Sequence, residues 1–478
     1  MKKIYITLLL AFTVYFSEAQ QNLSLYYQTW LPQSTELNPA IQNNCKLYFG
    51  GLLLPLAGQL IPNVHFNYSN NYLSYKDVVT LENGVPTINN STIENAISKV
   101  KHVNYIAVET ELPYLYGGYR YNDKLYLTLS IADKVDFKYS MPRDLLVLAW
   151  EGNGKTFLGN TIDFTGLGVD MSYYREYKIG ASYKLNDKLT LGISPKLLFG
   201  KANINTQSST ITWETKADDY TYIFHTDWEV NISQPIYTIE QMDYDYEGDS
   251  LIYKDSINEV KPKQVIFNNK NFGLGVDVGA IYKVNDKINV YASIIDLGYI
   301  KWKDNPQTLK VQGDFVYDGY DVRPFLEQND SLNEANADNY RDSVIHIFEP
   351  SLQKDKYVTY LTPKFYLGGT YQWKEYLGFG LLARFEMYKY ILHPSLTLSA
   401  NSRLTKWFGA TVSYTMMNNS YTNIGLAFIF KLGPVQWFLA SDNFWGFIWP
   451  QAARNVNLRM GINLKFGCKK YEGATLIH

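Results

Sequence analysis

The chain has 478 residues and a formal charge of −2, from 44 lysines and arginines against 46 acids, which leaves no electrostatic case for a nucleic-acid partner. Its 41 tyrosines outnumber 24 phenylalanines and 10 tryptophans, as suits strands at a boundary between water and an apolar phase. No run of about eighteen apolar residues follows the N-terminus, so the mature chain offers no helix to cross a membrane.

The first twenty residues read MKKIYITLLLAFTVYFSEAQ. Lys2 and Lys3, the apolar run from Ile4 to Phe16 and the small residues before Gln20 predict a secretory signal peptide over 1–19, cleaved near Ala19. No cysteine follows that site, so a lipid anchor is not expected. Residues 20–44 are expected to form an N-terminal segment that is periplasmic or lies in the lumen of a barrel.

From Cys45 onwards, alternation dominates. Leu125, Leu127, Leu129 and Ile131 alternate with Tyr126, Thr128, Ser130 and Ala132, and Leu458, Met460, Ile462, Leu464 and Phe466 with Arg459, Gly461, Asn463 and Lys465. Period two marks strands, and about ten residues is the length a tilted strand needs to cross hydrocarbon. One face is apolar and the other is rich in glycine, serine and tyrosine, which suits a lipid-facing wall better than a sandwich. The expectation is an all-β, closed antiparallel transmembrane β-barrel over 45–467, with short periplasmic turns, long extracellular loops and a tail over 468–478. Counting back from the last strand gives about 14 strands, or 16 if Asn63–Tyr75 adds a pair.

The stretch YNDKL at Tyr121 returns as LNDKL at Leu185 and VNDKI at Val284. Asn-Asp between alternating runs is turn chemistry, read here as tolerance of a left-handed backbone, so the repeat is punctuation at one rim. Large outer loops are expected over 203–270 and 304–356. A helix in STIENAISKV is expected to open on a capping box of Ser91 and Glu94, and a second helix, MPRDLLVLAWE, to open at Pro142 and lie in the lumen or at the membrane edge.

The segment LPQSTELNPAIQNNCKLYFGG, with Asn38-Pro39-Ala40 at its centre, resembles an element near the N-terminus of FadL-type outer-membrane transporters. It also resembles the PorV and PorP/SprF barrels associated with type IX secretion, and the stretch from Lys431 to Gly467 is similar to their closing strands. The layout is thus similar to an uncharacterised FadL-related family of type IX secretion-bearing bacteria. FadL-type resemblance implies a plugged barrel in the bacterial outer membrane, passing a small hydrophobic or amphipathic molecule. PorV-type resemblance implies a non-transporting scaffold barrel that binds surface or secretion proteins through its outer loops. Outer-membrane barrels often end on an aromatic residue, whereas here Phe466 is followed by GCKKYEGATLIH.

Chemistry-bearing residues are sparse. His65, His102, His225, His346 and His393 are scattered without metal or triad spacing, so no enzyme is expected. Asp243, Asp245, Glu247 and Asp249 begin like a calcium loop, but Lys254 stands where the bidentate glutamate belongs, leaving only an irregular outer-loop Ca2+ site as a candidate. Lumen candidates, facing inward by alternation, are Glu109, Glu111, Asp170, Asp277, Arg384, Glu386, Arg459 and Lys465, with Asp296 turned inward by a bulge; the resemblance to FadL-type transporters implies sideways release through a strand kink, which makes this bulge a candidate opening. Cys45 opens the first strand and Cys468 follows the last, so barrel closure makes them neighbours and a disulfide is expected in an oxidising compartment.

Overall fold

The computed structural model describes residues 23–53, 63–70, 73–82, 85–233, 245–246, 251–252, 262–317, 351–388, 391–417, 420–449 and 453–468. The signal peptide, the tail, His346 and most of the acidic stretch from Asp243 to Asp249 lie outside these residues. Only the two-residue ladder of Asp245–Tyr246 with Leu251–Ile252 is described there.

Fourteen strand positions form one closed antiparallel wall. In chain order they are β1 (Cys45–Gly50, resumed at Val64–Asn70), β2 (Val103–Arg120), β3 (Leu125–Pro142), β4 (Gly168–Lys184) and β5 (Leu189–Thr215). There follow β6 (Asn271–Lys283), β7 (Ile288–Trp302), β8 (Tyr357–Tyr360, resumed at Lys364–Lys374), β9 (Leu377–Tyr388) and β10 (Ile391–Ser402). The last four are β11 (Phe408–Met417), β12 (Ser420–Leu432), β13 (Val435–Ser441) and β14 (Asn455–Cys468). Each pairs with its successor, and β1 closes the ring against both β2 and β14. The strand-like stretch after Asn63 is therefore the upper half of β1 rather than an added pair, which is why the count is fourteen and not sixteen. No described helix is long and apolar enough to cross a membrane.

The alternation sets the faces. On β3, Leu127 and Leu129 are exposed to the membrane side, while Tyr126, Ser130 and Ala132 are buried inward. At the short-turn rim, Trp407, Phe408, Phe430 and Trp437 form an aromatic group on the outer surface, as expected where wall meets headgroups. In the three Asn-Asp-Lys turns the asparagine Oδ1 accepts from the two backbone N–H groups that follow Asp123, Asp187 and Asp286. No left-handed backbone is involved, since the described non-glycine residues with positive φ are Tyr220, Asp296 and Asn305. Asparagine serves there as a side-chain acceptor.

The 203–270 loop is not all loop. β5 continues to Thr215 and pairs with Tyr222–Ser233, which pairs with Pro306–Tyr317. Thr161–Asp163 and Ser351–Gln353 flank this sheet above the wall. Aromatic rings stack across its inner face, Trp213 on Phe224 at 5.0 Å and Phe224 on Phe315 at 6.0 Å. Helix α1 (Asn90–Lys99) is capped by Asn89 with Thr92, not by Ser91 with Glu94. Helix α2 (Arg143–Glu151) starts after Pro142 and packs Val147 with Ile97, Phe157 and Ile162 in this outer cap, so it is neither in the lumen nor at the membrane edge. Asp77 ties the cap down through Lys99 at 2.6 Å and Arg454 at 3.3 Å. Burial opposes its charge, but the bonds from Lys99 and Ser74 hold its carboxyl down to about 2.

Candidate functional site

The lower lumen is filled by the chain itself. Leu23–Leu25 and Ser34–Leu37 are short helical turns in a segment that descends inside the wall to Cys45. Leu23, Tyr26, Tyr27 and Leu37 pack on Tyr291, Ile295, Tyr366 and Leu382, while Leu25, Trp30 and Leu31 pack on Ala427, Ile429, Phe438 and Ala440. Polar anchors run around the ring. Asp442 accepts from the Leu23 and Ser24 amides at 2.8 Å each, Tyr27 donates to the Leu381 carbonyl at 2.6 Å, and Gln33 donates to Tyr116 at 2.9 Å. Cys45 and Cys468, opposite each other in register, are joined in a disulfide where this plug enters the wall.

The small inner face of the strands now has a cause. A Cβ on Gly192 would lie 2.2 Å from the Pro39 carbonyl carbon, and one on Gly409 would lie 2.1 Å from the Trp30 ring. The Asn38-Pro39-Ala40 turn sits in this mould, with Asn38 Oδ1 accepting from the Ala40 amide at 3.0 Å. Since backbone cannot yield as a flexible side chain does, Gly192→Leu should expel the lower plug. Limited proteolysis in detergent should then cut within 30–42, where the native plug resists.

Above the plug lies a belt of ion pairs. Lys196 is its hub, 2.6 Å from Asp277, 2.7 Å from Asp296 and 3.3 Å from Glu176. Lys134 meets Glu176 at 3.0 Å, and Lys178 bridges Glu176 and Asp277. Lys364 reaches Glu109 at 3.2 Å, and Lys138 reaches Glu386 at 3.3 Å. Arg384 pairs with Glu386, and Arg459 with Glu36 of the plug. His65 lies 3.7 Å from Glu111. The belt surrounds a cavity of about 90 Å³ whose wall mixes these charges with Leu37, Val135 and Ile295, room for a few waters or a small polar group.

Among the irregularities of the wall at this height, two stand beside the cavity's charged lining. Opposite Asp277, β7 carries a bulge that puts Asp296 at φ 62 and turns it inward, its amide donating to Asp277 at 2.8 Å. Asp296 is ion-paired to Lys196 and Lys364 there, and β7 pairs with β8 below the bulge as far as Ile295 and above it from Tyr299. The first strand is different. Its described pairing with β14 stops at Gly50, the Leu52 and Leu53 amides donate to the Pro113 and Tyr114 carbonyls, and the pairing resumes at Val64. Among the described residues, Tyr116 crosses over Gly50 to donate to Asn463 at 2.5 Å at the lower edge of this interval, and Asn63 donates to the Ile462 carbonyl at 3.2 Å at its upper edge. His65, Glu111 and Arg459, just above this interval, line the cavity.

Residues 39–442, most of the described wall, match a family of unknown function (DUF5723). The chain belongs to this family. A comparison with curated proteins finds no match. Among solved structures, the DUF5723 chain is similar to the Ralstonia pickettii toluene transporter TbuX, at 10% identity and a TM-score of 0.42, covering 91% of this chain and 94% of that one. It is also similar to a Pseudomonas aeruginosa FadL homologue, at 9% identity and 0.36, over 92% and 94%. The Pseudomonas putida toluene transporter TodX gives 9% identity and 0.35, over 94% and 93%.

In this DUF5723 barrel the inward acids and bases named from alternation all face the lumen, but not as one group. Glu109, Glu111, Asp277, Asp296, Arg384, Glu386 and Arg459 join the belt. Asp170 stands higher, bonded to Tyr388 and Asn205. Lys465 stands lower, donating to the Trp30 carbonyl. Lys134, Asp136, Lys138, Glu176, Lys178, Lys196 and Lys364 were missed, although Lys134, Asp136 and Lys138 alternate with Val135 and Phe137 in plain view. Among the described residues no group of three or more histidine, cysteine or acidic residues is placed to hold a metal. His102 and His225 pair with Asp163 and Asp314 in the outer cap, away from the belt.

Proposed function

We propose that the protein lies in the bacterial outer membrane and passes a small amphipathic molecule, with the break in the first strand's pairing as a side exit into the lipid. The observation that carries this reading is the interval between Gly50 and Val64, where no described residue of β1 pairs with β14, adjoining the cavity and bordered among the described residues by Tyr116 and Asn63. The charged lining sets the chemistry of the solute. A pure hydrocarbon would bury against ions and leave their hydrogen bonds unmet, whereas a polar head with an apolar body suits both walls of the cavity. The test is transfer of a fluorescent medium-chain fatty acid into liposomes holding the full chain. Tyr116→Ala should speed transfer several-fold over the native protein and Tyr116→Phe much less; equal rates in native, variant and protein-free liposomes would end the idea.

A second reading has its own support: a non-transporting partner barrel, of the kind associated with type IX secretion. The plug is bonded around the ring, and the sheet of Tyr222–Ser233 and Pro306–Tyr317 projects well beyond what a simple channel needs. Native mass spectrometry of the protein from its own membrane separates the two. A stoichiometric protein partner without a small-molecule adduct favours the scaffold, and an adduct without a partner favours passage.

A further inference from the structure

Beneath the plug, at the short-turn mouth of the lumen, lies a set of cations apart from the belt. Lys465 on β14 is only 3% exposed, and its ammonium donates to the Trp30 carbonyl. The same carbonyl receives Gln436 Nε2 at 3.4 Å, and Gln436 accepts from Asn463 at 3.2 Å. In register, Lys431 on β12 lies opposite Gln436 on β13, which lies opposite Asn463 on β14. Lys431 is half-buried beside this row, and the Arg403 guanidinium lies 4.9 Å from the centre of the Trp30 ring. The two charged side chains that this row and the Trp30 ring bring to the same end, Lys431 and Arg403, are both cations. Among the described residues no carboxylate pairs with Lys465 or Lys431, whereas every lysine and arginine of the belt has one.

A buried ammonium whose charged neighbours share its sign is costly, and one carbonyl does not offset that cost. An anion reaching the ammonium would offset it. We propose that this mouth is a binding site for a small phosphate or carboxylate anion arriving from the periplasm, held by Lys465, Lys431 and Arg403. The anion takes the Lys465 ammonium away from the Trp30 carbonyl and draws Arg403 off the Trp30 ring. Two of the holds on the middle of the plug are then given up at once, leaving Gln436 and the packing of Trp30 to keep it in place, so anion binding below loosens the plug above. The site does not depend on what crosses the wall.

The test uses the full chain in mild detergent, titrated with inorganic phosphate and separately with acetate, and read by calorimetry and by hydrogen exchange at the plug amides. Native protein should bind at least one of these anions and exchange faster over Trp30–Leu37 when it does. Lys465→Met removes a buried charge and should fold, yet lose both responses at least tenfold; Lys465→Arg should keep them, and Lys431→Gln should weaken binding. Saturation by phosphate alone identifies a phosphate site, and saturation by both a general anion site. Absence of binding by native protein, or undiminished binding by Lys465→Met, overturns the proposal.

Discussion

Deleting Leu23–Gln42 should turn a silent barrel into a conducting one. The native lumen is filled below by this segment, and the belt closes what remains above it to a cavity of about 90 Å³. Removing it empties a space lined by small and polar residues, among them Gly192, Ser182, Ser293, Thr411 and Gly409. It also strips Glu36 from Arg459, so the belt loses its link to the plug and takes in water. Asn43 and Asn44 stay in place to carry the chain into the disulfide. Single-channel recording in planar bilayers should show no steps for the native protein and resolved steps for the deletion. A deletion that folds, judged by its heat-dependent gel mobility, yet stays silent would show that the belt alone is the seal.

Lys196→Met should be the most damaging single change in the lumen. Three carboxylates, Asp277, Asp296 and Glu176, converge on that ammonium within 3.3 Å, and Lys196 and two of the three are almost wholly buried. Removing the cation leaves uncompensated buried charge, a class of change that costs about 3–5 kcal/mol. Lys134, Lys178 and Lys364 soften this by their own contacts with the same acids. Urea unfolding followed by tryptophan fluorescence should show the loss, and adding Asp277→Asn should recover part of it, since one stranded charge goes with the cation. A change below about 1 kcal/mol would mean that water already screens the hub.

Much of the wall could be read from the chain because its physics is local. Period-two alternation is a property of one strand, and the recurring Asn-Asp-Lys turn is a property of five residues. The pairing of Cys45 with Cys468 needed only the added premise that the wall closes. What escaped was what depends on three dimensions. Gly192, Gly279 and Gly409 read as members of a small face; only the plug shows them to be a mould. Lys196 and Lys364 are single lysines in apolar surroundings, and nothing local announces that they meet acids from other strands. The interval between Gly50 and Val64 reads as apolar sequence followed by another strand, because nothing local says that the second run pairs with the same two neighbours as the first.

The disulfide gives the wall a property that hydrogen bonds do not. With Cys45 bonded to Cys468, the backbone from one to the other is a covalent hoop, and the plug and the last residues hang from its clasp. A protease that cuts once in a loop of the cap opens the hoop but frees nothing. Two cuts are needed before any piece can leave, and even then every strand remains zipped to two neighbours. Outer loops can therefore be nicked, lengthened or exchanged while the strands stay tethered as one molecule, which lets the surface-facing part of the chain change faster than the part that holds it in the membrane.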